Sequence, residues 1–327
     1  PGIAAAKAGP AAILAYLIAG LLAVPAMLSV SELSTALPKA GGAYYFLERA
    51  LGPAVGTVAG FGAWISLVLK DAFAMVGMSA YLVLIVDVNS KNLALILIAF
   101  FTLLNVVGSK ASASLQLVLV SFVIAVIGWF IVDGLFEFGS KGITDSNLDP
   151  FFTTGGSGVM AVVGLVFVSY GGLTKVDSAA EEVEDPSRRI PLGMAVSLTV
   201  ATLLYTLGVL VAVVALPPEE LHTDLAPIHS AAEAILPSFG AVLVVIAALA
   251  AFASAVNAGI LAAARYPMAM ARDGLLPKGV GRISKFGTPI VGVISTGSAI
   301  AIVVLAFNAE AIAKLASSFV LLTLGLV

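Results

Sequence analysis

Lys70 and Asp71 stand side by side in a stretch, 57–86, that holds no other Asp, Glu, Lys or Arg. Ionised groups at the middle of an apolar segment of this length are costly, and they face a cavity or a partner. Adjacent helix positions point in different directions, so the two charges cannot simply neutralise each other. Ser66, Lys70, Phe73 and Gly77 share one face by i, i+4, i+7, i+11 spacing. That face can line a pathway, with Lys70 as a fixed positive charge or a proton-accepting group. It can equally serve a structural ion pair with another helix, or a lysine snorkelling along its helix.

A second unusual stretch lies at 158–180, where an apolar half runs into Ser169-Tyr170-Gly171-Gly172-Leu173 and then into a polar half with Lys175 and Asp177. Paired glycines weaken a helix, and Ser169 and Thr174 can satisfy the backbone groups that a break frees. A helix broken at mid-membrane exposes N–H groups at one half's end and carbonyls at the other. Such ends hold the carboxylate of a small zwitterion, or an ion, without a charged side chain. The plainer account is that Gly171 and Gly172 permit close helix packing. On this segment alone, packing is the preferred account. The spacing of Gly52, Gly56 and Gly60 reads as helix packing too. The run 181–191, which mixes Glu181 and Glu182 with Arg188 and Arg189 and carries two prolines, reads as a helix end and turn with salt bridges.

The elements that carry these residues follow from composition. Of 327 residues, 60% are hydrophobic and 11% charged, against about 25% charged in soluble domains. A chain so poor in charge cannot keep its surface in water. Its apolar runs are continuous rather than alternating, which selects helices over a β-barrel. Reading for about 20 apolar residues per crossing, spans fall near 11–36, 57–86, 92–108, 111–132, 158–180, 191–216, 238–264, 288–307 and 311–327. Residues 1–8 read as the tail of an earlier span. No linker divides the chain, so 1–327 is one transmembrane domain.

Alternate connections hold ten Lys and Arg residues, Arg49, Arg188, Arg272 and Arg282 among them, against four on the opposite side. The basic side is therefore expected in the cytoplasm. The connections 137–157 and 217–237 are then external, and His222 and His229 of the latter read as solvated loop residues rather than metal ligands. With no cysteine, disulfides and thiolate metal sites are excluded. GxSxG, HExxH, Walker A and GxGxxG motifs are absent, so an enzyme is not expected, nor a metal or other cofactor. Basic residues confined to one membrane side give nucleic-acid binding no support.

Three stretches taken together resemble the amino acid–polyamine–organocation transporter superfamily, in its amino acid permease type. The first is Ser31-Glu32-Leu33 with Pro38-Lys39-Ala40-Gly41-Gly42-Ala43-Tyr44 and Ala50-Leu51-Gly52-Pro53. The second is Ser169-Tyr170-Gly171-Gly172 through Glu181-Glu182-Val183 to Pro186 and Ile190-Pro191. The third runs from Arg265 through Ala269-Met270-Ala271-Arg272-Asp273-Gly274-Leu275-Leu276-Pro277 to Gly287-Thr288-Pro289. They occur in the family's order, and the resemblance covers essentially the whole chain.

The resemblance implies an all-α integral membrane protein of LeuT-like fold: two five-helix repeats of inverted topology, with spans one and six broken around a midplane site. The chain then maps from the end of span one into span ten, and reads as a fragment truncated at both ends. On that mapping Ser169, Tyr170, Gly171, Gly172 and Leu173 occupy the break in span six and become substrate-site candidates. Ser66 and Phe73 join them from span three and Asn257 from span eight, with Ser254 as a further polar liner. Some proton-coupled relatives carry a lysine in span five, whose ammonium stands in for a sodium ion. Here Ser121 stands at about that position, so Lys70 becomes the coupling candidate beside Ser121 and Ser254.

The implied activity is secondary transport of an amino acid or related small amine by alternating access in the cell membrane, with H+ or Na+ as coupling ion and the lipid bilayer as surroundings. Lys70 disfavours a cationic substrate side chain. The alternatives are an inorganic-ion transporter of the same superfamily, or a transporter-shaped sensor or assembly subunit without flux.

Overall fold

A computed structural model describes residues 1–37, 41–83, 85–86, 88–107, 113–141, 147–172, 180, 183–284 and 287–326, with side chains described throughout except at 113–116, 140–141 and 326. Of the residues named above, Leu173, Thr174, Lys175, Asp177, Glu181 and Glu182, and likewise Pro38, Lys39 and Ala40, lie outside the described residues.

The described chain is helical. In order come α1 (Gly2–Ala8), α2 (Ala12–Ala36), α3 (Gly42–Leu51), α4 (Pro53–Val83), α5 (Ser90–Val107), α6 (Ala113–Lys141) and α7 (Gly155–Val166). After them come α8 (Pro186–Ala215), α9 (Pro218–Thr223), α10 (Pro227–Ile235), α11 (Ser238–Arg272), α12 (Ile290–Ala306) and α13 (Ala309–Leu326). A 3-10 turn, Gly9–Ala11, joins α1 to α2, so that Gly2–Ala36 forms one apolar unit. Among the described residues that unit and α4, α5, α6, α8 and α11 contain segments long and apolar enough to cross a membrane. The protein is a multi-pass membrane protein.

The apolar side chains divide into two large cores. One gathers α1, α2, α6, α7 and α8 around Ala12, Phe130, Val162, Met194 and Ala212. The other joins α4, α5, α11 and α12 around Ala72, Met75, Ile98, Ile260 and Ile300. Lipid gives no hydrophobic drive between helices, so close contact through small residues has to hold them. Along the first unit Ala8, Ala11, Ala15, Ala19 and Ala23 are all fully buried. A Cβ on Gly20 would sit 2.5 Å from Thr202 Oγ1 of α8, which shows how nearly the two backbones meet.

Several boundaries differ from the sequence expectation. Helix α11 runs eight residues past 264 and through Pro267. Its extension is sheathed by protein, with Tyr266 and Met270 buried beside Tyr44 of α3, so bilayer thickness does not limit its length. Helix α6 continues to Lys141, into the connection expected to begin at 137. The connection 217–237 contains α9 and α10, each with proline in its first turn, where the missing N–H costs nothing. His229 is not a solvated loop residue: its side chain is 13% exposed and its Nε2 lies 3.7 Å from Glu233.

Candidate functional site

The broken helix is built one bond at a time. Helix α7 stops at Val166, and the chain tightens into a 3-10 turn over Phe167–Tyr170. The turn closes where the Gly171 N–H donates to the Val168 carbonyl at 3.1 Å. Regular α-helical bonding therefore ends before the glycine pair rather than at it. Two orphaned backbone groups are taken up by one hydroxyl from α13. The Val168 N–H donates to Ser317 Oγ at 3.0 Å, and Ser317 donates in turn to the Leu165 carbonyl at 2.7 Å. On the other flank the Tyr170 hydroxyl donates to the Tyr16 carbonyl of α2 at 2.7 Å. The Tyr205 ring of α8 stands edge-on to both, 5.5 Å from Tyr170 and 6.3 Å from Tyr16.

Lys70 completes this centre. Its Nζ donates to the Gly171 carbonyl, and the lysine is 8% exposed. A Cβ on Gly171 would lie 2.7 Å from Lys70 Cδ, so the glycine makes room for the lysine stem. The carbonyl end of a helix carries partial negative charge, and the ammonium meets it where the half-helix runs out. Phe73 lies one turn on, packed against the cluster of Leu69, Val168 and Ala316.

Asp71 points away from this centre. It is 1% exposed, and its carboxylate abuts Gly259 of α11, where a Cβ would lie 2.0 Å from Oδ1. Two residues earlier, Asn257 Oδ1 accepts from Asn105 Nδ2 of α5 at 3.0 Å. Among the described residues Lys70 and Asp71 are the only buried charged side chains. They serve different neighbours, one the break and the other α11.

The candidate residues are therefore distributed. Lys70, Phe73, Ser169, Tyr170 and Gly171 come together at the break. Gly172 follows, exposed, while Leu173 lies outside the described residues. Ser66 is buried, and among the described residues its Oγ has no hydrogen-bond partner. Gly77, on the same face of α4, packs against Phe252 of α11. Asn257 belongs to the Asp71 side, as does the helix that carries the half-buried Ser254. Ser121 is exposed on α6.

Ser317, Tyr16 and Tyr205 were not legible as site residues. A lone hydroxyl in an apolar helix and two tyrosines in distant helices carry no local signal of a shared partner. Gly259 was readable only as a small residue near Asn257.

Outside the spans, Glu310 at the start of α13 accepts from both Lys314 and Lys7, each at 2.8 Å. The hydrogen bond from Lys314, then that from Lys7, lowers its carboxyl to about 2. Between spans on the other side, Tyr44 donates to Asp273 at 2.6 Å. Burial first, and then that bond, pushes the phenol well above its usual range. Among the described residues no group of three His, Asp or Glu side chains is placed to hold a metal.

This arrangement of helices and the break at 167–171 is accompanied by a sequence match: the profile of the amino acid permease family fits residues 2–327. The chain belongs to the amino acid permease family. Within it, the chain is 30% identical over 335 residues to the cationic amino acid transporter 3, mitochondrial, of Arabidopsis thaliana, covering 96% of this chain and 55% of that protein. It is 31% identical to the branched-chain amino acid permease BcaP of Lactococcus lactis, covering all of this chain and 76% of that one. It is 28% identical to a methylthioribose transporter of Bacillus subtilis, covering 91% and 68%. The chain spans about half the length of the plant relatives. The family and these relatives carry the names of permeases and transporters.

Proposed function

We propose that the protein moves an amino acid or a related small amine across the cell membrane by alternating access. In this reading the chain forms one domain of two inverted five-helix repeats. The observation that carries the proposal is the buried Lys70 ammonium on the Gly171 carbonyl, at the unwound end of a half-helix.

The carbonyl end of a helix attracts a cation. Lys70 occupies that end as a resident ammonium, and a substrate's α-amine carries the same chemistry. Ser169, Tyr170, Gly171, Gly172 and Leu173 would contact the substrate, with Ser66 and Phe73 from the facing helix and Asn257 further off. When Lys70 loses its proton, its hold on the carbonyl weakens and the end becomes available. A protonated lysine restores the resting contact. Lys70 thus couples occupancy to a proton, in place of the exposed Ser121.

While it is protonated, Lys70 disfavours the approach of a cationic side chain and tolerates a neutral or acidic one. The relatives' names include cationic and branched-chain substrates, so competition decides the point. The proposal expects a neutral amino acid to compete better than arginine for uptake.

The coupling test is uptake against an imposed pH gradient in proteoliposomes with Lys70→Ala and Lys70→Arg. Loss of proton dependence in both supports the assignment, and unchanged dependence in both overturns it. If a substrate shifts thermal stability but no flux is measured, the protein is a sensor and not a carrier.

A further inference from the structure

The connection 277–284 and the start of α12 line an open cavity of about 460 Å³. Val280, Ile283, Ile290 and Val291 supply apolar walls, while Arg282 and Ser284 supply a guanidinium and a hydroxyl. We propose that this cavity binds an anionic phospholipid from the leaflet on the protein's basic side.

Three observations support that occupant. First, the walls are amphiphilic in one direction. Ile283 and Val291 are 49% and 47% exposed, and Ile294, one turn further along α12, is 50% exposed. The apolar floor therefore continues from Val291 to Ile294 on the exposed face of the apolar helix α12, which suits an acyl chain. A site for a free anion would instead close polar groups around its ligand.

Second, the charge is one-sided. Between 274 and 290 the sequence contains Lys278, Arg282 and Lys285 and no Asp or Glu. The acid just before this stretch, Asp273, already accepts the Tyr44 hydroxyl. Basic residues at the membrane surface attract anionic headgroups, and a guanidinium can take two phosphate oxygens at once.

Third, one wall is held in place. The Ser284 N–H donates to the Thr288 carbonyl at 2.9 Å, and the Gly287 N–H donates to the Ser284 carbonyl at 3.0 Å. The buried Thr288 hydroxyl reaches the Val106 carbonyl of α5 at 3.4 Å. The turn is thus anchored to a neighbouring span. In the bound arrangement Arg282 holds the phosphate, and one acyl chain lies along Ile283, Val291 and Ile294.

The test uses purified protein in micelles doped with either phosphatidylglycerol or phosphatidylcholine, read by thermal unfolding and by native mass spectrometry of retained lipid. Phosphatidylglycerol is expected to raise the melting temperature and to be retained, and phosphatidylcholine is not. Arg282→Gln should weaken the apparent phosphatidylglycerol affinity about tenfold, the scale of a charge-assisted hydrogen bond, with melting in phosphatidylcholine unchanged. Ile283→Ser should weaken it as well with every charge kept, which supports a lipid over a free anion and gives a second reading should the first variant fold poorly. Arg188→Gln, exposed at the start of α8 on the same basic side, should leave the affinity as it was. Undiminished affinity in both Arg282→Gln and Ile283→Ser overturns the proposal. So does an equal loss in Arg188→Gln, or an equal stabilisation by inorganic phosphate alone.

Discussion

Lys70 and Lys7 both hold an oxygen with an ammonium, yet their surroundings give the two contacts different weight. Lys70 is 8% exposed and donates to the Gly171 carbonyl between two packed cores. Lys7 shares Glu310 with Lys314, and the Lys7 and Glu310 side chains are 34% and 38% exposed. Water replaces either partner of the second contact at little cost, and salt screens it. The first is buried, so losing it removes a charge-assisted bond that solvent replaces far less readily. That difference is why the proposed function is placed at the buried contact.

The sharpest way to break this comparison is Lys70→Met, which keeps the stem and deletes the charge. Uptake is expected to fall about 100-fold, the scale of a lost buried charged contact. A variant that transports normally would put Lys70 on the same footing as Lys7.

Gly259→Val follows in size. Its Cβ would lie 2.0 Å from Asp71 Oδ1, and overpacking of this kind costs about 1–3 kcal/mol in thermal or denaturant unfolding. Gly164→Ala, where an added Cβ meets nothing within 4 Å, is the control and should leave stability unchanged.

Ser317→Ala removes the hydroxyl that closes the break. About 1 kcal/mol of stability should be lost, together with a weakened apparent substrate affinity, because Leu165 and Val168 lose their shared partner.

Glu310→Gln should give the smallest effect, at most ~0.5 kcal/mol, and that should vanish in high salt. The pH dependence has a definite sign. The folded carboxyl is lowered to about 2 from the ordinary 4.5, so its contribution is fully present above 4.5 and is lost as pH falls towards 2. Melting curves across that window, with and without the substitution, measure it.

Helix content and the apolar spans were open to reading because they depend only on local composition. A run of about 20 apolar residues has few other fates. The break was legible as Gly171-Gly172, but the structure starts it at Phe167, because the 3-10 turn is set by Ser317 and Tyr16 from other helices. Lys70 and Asp71 were legible as a problem, since two charges in a span demand partners. Which partner each takes was not legible, because helix phase gives a direction and not the neighbour found there. Asn257 shows the same limit: its sequence suits a site liner, and the structure engages it with Asn105. His229 looked solvated only because the folding of 217–237 into two short helices could not be seen.

By itself, then, the sequence determined a multi-pass helical chain, its two buried charges and its family. Tertiary structure alone decided that Lys70 reaches the broken helix while Asp71 turns to α11. The physical reason is that hydrophobic length and charge asymmetry are summed along the chain. The hydrogen bonds of a broken helix are instead completed by atoms more than a hundred residues away.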